Sequence, residues 1–186
     1  MASPFEPFGG FPGSASTEAH RSESPASVTC AVLTISDTRS KEDDRSGELI
    51  RQYLGWRGHR VAAYAIVPDE APAIERSLRA WIDDERIEAI LTNGGTGLAG
   101  RDVTYEAITG LFERRIDGSG ELFRMLSYAE IGAAAMLSRC TAGIAHGTVI
   151  FAMPGSPNAV RLAMEKLIGP ELGHVIREVA RQRPSG

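Results

Sequence analysis

Cysteine is nearly absent from this chain of 186 residues: Cys30 and Cys140 are the only two, far apart in sequence. Such a pair excludes a disulfide framework and a CxxC-type zinc site. Each cysteine sits among apolar or small residues, which predicts two buried thiols of a reducing compartment. Lysine is equally scarce. Lys41 and Lys166 stand alone, and the rest of the 20 basic residues are scattered arginines. With 24 acidic residues the net charge is −4, so no field draws the chain to nucleic acid or an anionic membrane. No basic stripe interleaved with aromatics is present either. No apolar run approaches the roughly 20 residues of a membrane span. The N-terminus lacks the basic region and apolar block of a secretory signal. The expectation is a cytoplasmic protein with neither nucleic-acid nor membrane partners. The four histidines form no ligand pattern, and neither GxSxG nor a Ser-His-Asp order occurs, which argues against a histidine-based nucleophilic mechanism.

What is present divides at residue 28. Residues 1–27 hold Gly9, Gly10 and Gly13, four of the ten prolines and little apolar bulk beyond Phe5, Phe8 and Phe11. That composition cannot bury enough surface to offset chain entropy, and it predicts a disordered Pro/Gly/Ser-rich tail. Residues 28–182 alternate. Apolar, β-branched runs at Val28–Ser36, Val61–Val67, Ile87–Thr92 and Thr148–Met153 read as buried strands. Between and after them, helical spacing is found at Ser46–Trp56, Pro72–Ile82, Thr104–Phe112, Glu121–Leu137, Pro157–Ile168 and Glu171–Arg181. Thr104 and Glu106 are placed to cap the third of these. The alternation predicts one α/β domain, a three-layer α/β/α sandwich with a mostly parallel central sheet.

In such a sheet ligands bind beyond the carboxyl ends of the strands. Four loops fall there: Ser36-Asp37-Thr38-Arg39, Pro68-Asp69-Glu70, the run from Asn93 to Asp102, and Pro154-Gly155-Ser156-Pro157-Asn158. The third loop contains Gly94, Gly95, Gly97 and Gly100, with Thr96 among them. Its GxGxxG match follows the third strand rather than the first, so the context is wrong for a dinucleotide fold. It is not a Walker-type loop. Small residues do let backbone N–H groups approach a phosphate closely. Asp69 and Asp102, taken singly, read as turn or cap residues. Beside a phosphate cradle they would repel the ligand unless a hard cation lay between. Mg²⁺ takes one or two carboxylates plus substrate phosphates, so the constellation points to magnesium-assisted phosphoryl or nucleotidyl transfer. Arg101 is placed to hold a phosphate oxygen.

The segments LTISDTRS at 33–40, IVPDE at 66–70, LTNGGTGLAGRDVTYEAI at 91–108, FRMLS at 123–127, MLSR at 136–139 and IFAMPGSPNAV at 150–160 resemble, in order and spacing, the MoaB/MogA family of molybdenum cofactor biosynthesis. The wording FRMLS and FAMPGS is closer to the MoaB branch. The resemblance implies that family's fold and reaction, transfer of AMP from MgATP to the terminal phosphate of molybdopterin with release of pyrophosphate. Carried over by position, it makes Asp69 and Asp102 the catalytic and metal-binding aspartates. It assigns phosphate to Gly94, Gly95, Thr96 and Gly97, and the pterin to Ser138. Asp37 would line the same pocket, with Pro154, Gly155 and Ser156 opposite. It also implies a homo-oligomer, trimer or hexamer, with interfaces on apolar strips such as Glu121–Leu137. Some MoaB-type relatives lack the aspartate at position 69, which this chain keeps. The chain departs at Ala152, where adenylylating relatives often carry Asn. The alternatives are a non-catalytic relative that holds molybdopterin or a protein partner, and a nucleotide-dependent oxidoreductase. Pyrophosphate release separates them from the transferase.

Overall fold

A computed structural model of the chain describes residues 23–98 and 103–180. Among the described residues six strands form one sheet: β1 (Thr29–Ile35), β2 (Arg60–Val67), β3 (Ala89–Asn93), β4 (Arg114–Arg115), β5 (Thr141–Ala145) and β6 (Thr148–Met153). Their order is β2-β1-β3-β6-β5-β4. The pairs β1–β2, β1–β3 and β3–β6 are parallel. Strand β5 runs antiparallel to β6, and β4 antiparallel to β5. The helices are α1 (Arg45–Trp56), α2 (Ala71–Ile82), α3 (Thr104–Thr109), α4 (Asp117–Ile131), α5 (Pro157–Ala163) and α6 (Gly169–Ala180). A 3₁₀ helix over Gly132–Leu137 extends α4, and a π-helical turn over Met164–Ile168 joins α5 to α6.

Successive side chains of a strand point to opposite faces, and here both faces are covered. Cys30 and Val32 of β1 join one core with Leu54 of α1, Phe123 of α4, Val160 of α5 and Leu172 of α6. Ala31, Leu33 and Ile35 join a second core with Ile74 and Leu78 of α2 and Ile108 of α3. Two cores on either side of one sheet make the three layers expected. They also explain why the parallel strands read as nearly unbroken apolar runs. Both cysteines are buried, and burial pushes their thiols up to about 12, so neither is a ready nucleophile.

The sequence reading missed β4 and β5. Strand β5, TAGIA, carries Gly143 where a strand former would be expected. Its reason is steric: a Cβ there would lie 2.4 Å from the Phe112 ring. A two-residue turn with positive φ at His146 (47°) and Gly147 (81°) joins β5 to β6, the backbone that suits a tight hairpin. Helix α4 begins earlier than expected, at Asp117, and yields to the 3₁₀ helix at Gly132, whose φ is 62°. The helix expected over Pro157–Ile168 is α-helical only to Ala163.

Residues 23–27, grouped with the tail by composition, lie against the body. Ser27 Oγ donates to the Gly58 carbonyl at 2.8 Å, and Glu23 pairs with Arg177. Residues 1–22, with Phe5, Phe8 and Phe11, lie outside the described residues. No helix among the described residues is long and apolar enough to cross a membrane.

His59 closes this corner by accepting the Val28 N–H on Nδ1 at 3.2 Å. Burial, and then the Arg57 charge, lower its pKa. A depressed histidine pKa means that the unfolded chain binds the proton more readily. The cost is therefore absent well above the unfolded value of about 6.5 and grows as pH falls through it. His59→Gln is expected to lose less melting temperature than the parent between neutral pH and pH of about 5. Parallel pH profiles of melting for the two proteins would contradict this.

Candidate functional site

The chain passes from β1 to β2 on one side of the sheet and then returns to β3 on the other. The loops leaving β1 and β3 consequently part, and such a reversal opens a crevice beyond the strand ends. A cavity of about 600 Å³ occupies it. Its walls are Ile35 to Arg39 after β1, Asp69 after β2, Gly94 to Gly97 after β3, and Pro154 to Ser156 after β6. Phe123, Ser127, Ile131, Leu137 and Ser138 close it from α4 and the 3₁₀ helix. The structure thus brings together Asp37, Asp69, Gly94, Gly95, Thr96, Gly97, Ser138, Pro154, Gly155 and Ser156. Arg101 and Asp102 lie outside the described residues. Ala152 is buried in β6 within the second core and does not line the cavity.

Two glycines are required by close approach. Gly94 has φ of 100°, and a Cβ there would lie 2.1 Å from the Ile35 carbonyl oxygen. Gly95 has φ of 59°, and its Cβ would meet Thr104 Oγ1 at 1.9 Å and Asp69 Oδ2 at 2.8 Å. Positive φ costs an L-residue about 1 kcal/mol or more even without such collisions. The Gly94 N–H donates to the Met153 carbonyl at 3.2 Å, so sheet pairing occupies it.

Asp37 and Asp69 stand together, because the Asp69 N–H donates to Asp37 Oδ1 at 2.9 Å. Thr104 Oγ1 donates to Asp69 Oδ1 at 2.8 Å. This corrects the capping expectation. Val103 is the cap residue of α3, with no side-chain cap bond. The Thr104 hydroxyl serves the Asp69 carboxylate, while Glu106 accepts from Arg139 Nη1 at 2.6 Å. Ser138 Oγ accepts the Cys140 N–H at 3.3 Å.

Beneath the cavity lies a polar network. Asp44 is 2% exposed. Its carboxylate accepts from Thr34 Oγ1 at 2.5 Å, Tyr64 OH at 2.7 Å and the Gly47 N–H at 3.0 Å. Burial, with the Asp44 bond next, raises the Tyr64 pKa, so the phenol remains a donor. Asn93 Nδ2 donates to Thr34 Oγ1 at 2.8 Å. Arg39 Nη2 and Ser46 Oγ both donate to the Gly155 carbonyl, at 2.9 and 2.8 Å.

Sequence reasoning missed Arg39, Asp44, Asn93, Thr104 and Arg139 as site residues. A signal existed for Asp44, an aspartate just before a helix, and it does cap α1 through Gly47. Nothing local marks Arg139. Its Nε donates to the Thr96 carbonyl at 3.3 Å and its Nη2 to the Gly97 carbonyl at 2.5 Å. Its guanidinium lies 5.0 Å from the Tyr105 ring centroid. One side chain therefore clamps both stems of the glycine loop. Arg139→Gln is expected to raise amide hydrogen exchange across residues 94–98 and 103–106 while leaving β1 protected. Unaltered exchange in those stems would refute the clamp.

The family described as a probable molybdopterin binding domain matches residues 31–174. Over 169 residues the chain is 53% identical to molybdenum cofactor biosynthesis protein B of Bacillus subtilis, covering 90% of this chain and 99% of that protein. A crystal structure of a molybdenum cofactor biosynthesis protein B superposes with a TM-score of 0.83 at 50% identity, covering 86% of this chain and all of the other. The tungsten cofactor synthesizing protein MoaB of Pyrococcus furiosus superposes with a TM-score of 0.77 at 37% identity, covering 83% of this chain and 98% of its own. The family match spans every described residue that lines the cavity, and on these grounds the chain belongs to the MoaB/MogA family.

Proposed function

We propose that this chain acts in molybdenum cofactor biosynthesis as a molybdopterin adenylyltransferase. A terminal phosphate oxygen of molybdopterin attacks the α-phosphorus of ATP. The bond from that phosphorus to the bridging β-oxygen breaks, and pyrophosphate leaves with the electron pair. The observation that carries this reading is the convergence of Asp37, Asp69, the glycine loop and Ser138 on one cavity, in a chain matched by a molybdopterin-binding family. With the Gly94 amide engaged by the sheet, those of Gly95, Thr96 and Gly97 are the ones offered to phosphate. Phe123, Ile131 and Leu137 supply an apolar wall for a flat heterocycle, with Ser138 beside it.

Asp37 and Asp69 offer carboxylate oxygens to this part of the cavity, the hard chemistry that Mg²⁺ selects. Asp69, with Asp102 from the adjoining loop, would hold the ion. Bound there, Mg²⁺ supplies charge neutralisation at the phosphates and polarisation of the reacting phosphoryl group. Thr104 fixes one Asp69 oxygen, and Asp37 fixes the Asp69 backbone.

Pyrophosphate release from ATP, with molybdopterin and Mg²⁺ present, tests the reading. Asp69→Asn and Asp102→Asn are each expected to cut the rate on the order of a hundredfold, the scale of losing one electrostatic element of a transition state. Their melting temperatures should stay near the parent's. A parent that binds molybdopterin but releases no pyrophosphate would favour the pterin-holding alternative. Near-parent turnover by both variants would remove the metal role.

The reading extends to assembly as a trimer or hexamer. Leu122, Met125 and Tyr128 of α4 are 48%, 61% and 65% exposed, and Met136 of the 3₁₀ helix is 78% exposed. A contiguous apolar strip of this kind marks an interface. Sedimentation velocity is expected to show an oligomer that Met125→Glu with Tyr128→Glu dissociates. A monomeric parent at micromolar concentration would refute it.

A further inference from the structure

The cavity presents two carboxylates and, among its described lining residues, a single Lys or Arg side chain, Arg39. Its guanidinium is fixed from below. Nη2 donates to the Gly155 carbonyl at 2.9 Å, Nη1 reaches Asn93 Oδ1 at 3.4 Å, and Asp44 Oδ1 lies 3.7 Å from Nη1. Asp44 is already served by three donors at 2.5, 2.7 and 3.0 Å. The ion pair therefore orients Arg39 more than it consumes it. A guanidinium carries five N–H donors in a planar fork. The contacts above engage only its terminal nitrogens, and the side chain is 29% exposed.

We infer that Arg39 is a side-chain cation that binds the phosphates of the substrate, pinned for that purpose by Asp44, Asn93 and the Gly155 carbonyl. The inference rests on the phosphoryl chemistry proposed above and names the residue and ligand class that serve it. Phosphate brought between Asp37 and Asp69 meets repulsion from both carboxylates. Arg39 opposes that repulsion from the floor. Because the network holds the fork in place, little side-chain entropy remains to be lost when an anion arrives. Lysine would keep the charge but lose the planar fork that reaches Gly155 and a phosphate oxygen together.

The test uses the full chain and inorganic pyrophosphate with Mg²⁺ as the probe, read by isothermal titration at several salt concentrations. The parent is expected to bind with an affinity that falls as salt rises. Arg39→Gln should bind about tenfold more weakly or worse, the scale of one charge-assisted hydrogen bond, and with a flatter salt dependence. Arg39→Lys should fall between them. Equal affinity and equal salt dependence in parent and Arg39→Gln, with a lowered melting temperature, would show that Arg39 only holds the Gly155 loop and would overturn the inference. So would a parent that binds no pyrophosphate. If Arg39→Gln does not fold, unchanged affinity in Arg39→Lys overturns it instead. A parent that binds pyrophosphate through Arg39 yet releases none from ATP would overturn the transfer reaction and leave this inference standing.

Discussion

A carboxylate taken out of water must be met by donors, or folding stops short of it. Asp44 is such a carboxylate, and the site is arranged around the groups that meet it. Thr34 belongs to β1, Tyr64 to β2 and Gly47 to the first turn of α1. Those three bonds fix where the first helix starts relative to the two strands it crosses. The network then continues outward. Once Thr34 has given its proton to Asp44, its oxygen is left to accept from Asn93 at the end of β3. Asn93 in turn faces Arg39, which reaches the loop after β6. Four strands are thus tied, directly or at one remove, to one buried charge. Replacing Asp44 with an apolar residue would leave polar partners in three elements with nothing to bind, and such loss is felt well beyond the residue removed.

Close backbone approach sets the second constraint. Gly94 passes so near the Ile35 carbonyl that no side chain fits. A Cβ on Gly155 would in turn lie 3.0 Å from Gly94 Cα. The ends of β1, β3 and β6 therefore pack backbone on backbone, and peptide groups of Gly94 and Gly155 join the side chains that line the cavity. Gly95 differs. Its missing side chain leaves room for Thr104 and Asp69 instead of for a ligand. The glycine run combines two demands, one from packing and one from the carboxylate beside it.

Three of the four parallel strands, β1, β3 and β6, were legible because they are buried on both faces and read as apolar runs; β2, at the sheet edge and only partly buried, was legible from its run of apolar and small residues. From that, the sandwich and the location of the site at the strand ends followed by topology alone. Strands β4 and β5 were not legible. Arg114 and Arg115 are exposed charges, and Gly143 is small because the Phe112 ring leaves no room for a Cβ. Tertiary contact overrode strand propensity there. Asp37, Asp69, the run Gly94 to Gly97 and Pro154 to Ser156 line the cavity as expected, since position in the chain and position in space coincide for residues just after strands. Arg139 was not legible, because its partners are carbonyls of Thr96 and Gly97, distant in sequence, and carbonyls carry no residue signature. Thr104 was assigned to the wrong partner. A threonine at a helix start reads as a cap, and only the fold shows the Asp69 carboxylate within reach.

Helix α4 joins the cavity to the outside of the molecule. Phe123, Ser127 and Ile131 recur at a spacing of one helical turn and face the cavity. Leu122, Met125 and Tyr128 leave the same helix toward solvent. A helix with one buried face needs only that face to be apolar, so the outer apolar residues are not explained by the fold of one chain. The 3₁₀ segment that follows ends at Ser138, and Arg139 beside it clamps the glycine loop. The outer apolar face and the cavity-facing residues thus share one helix and the segment immediately after it.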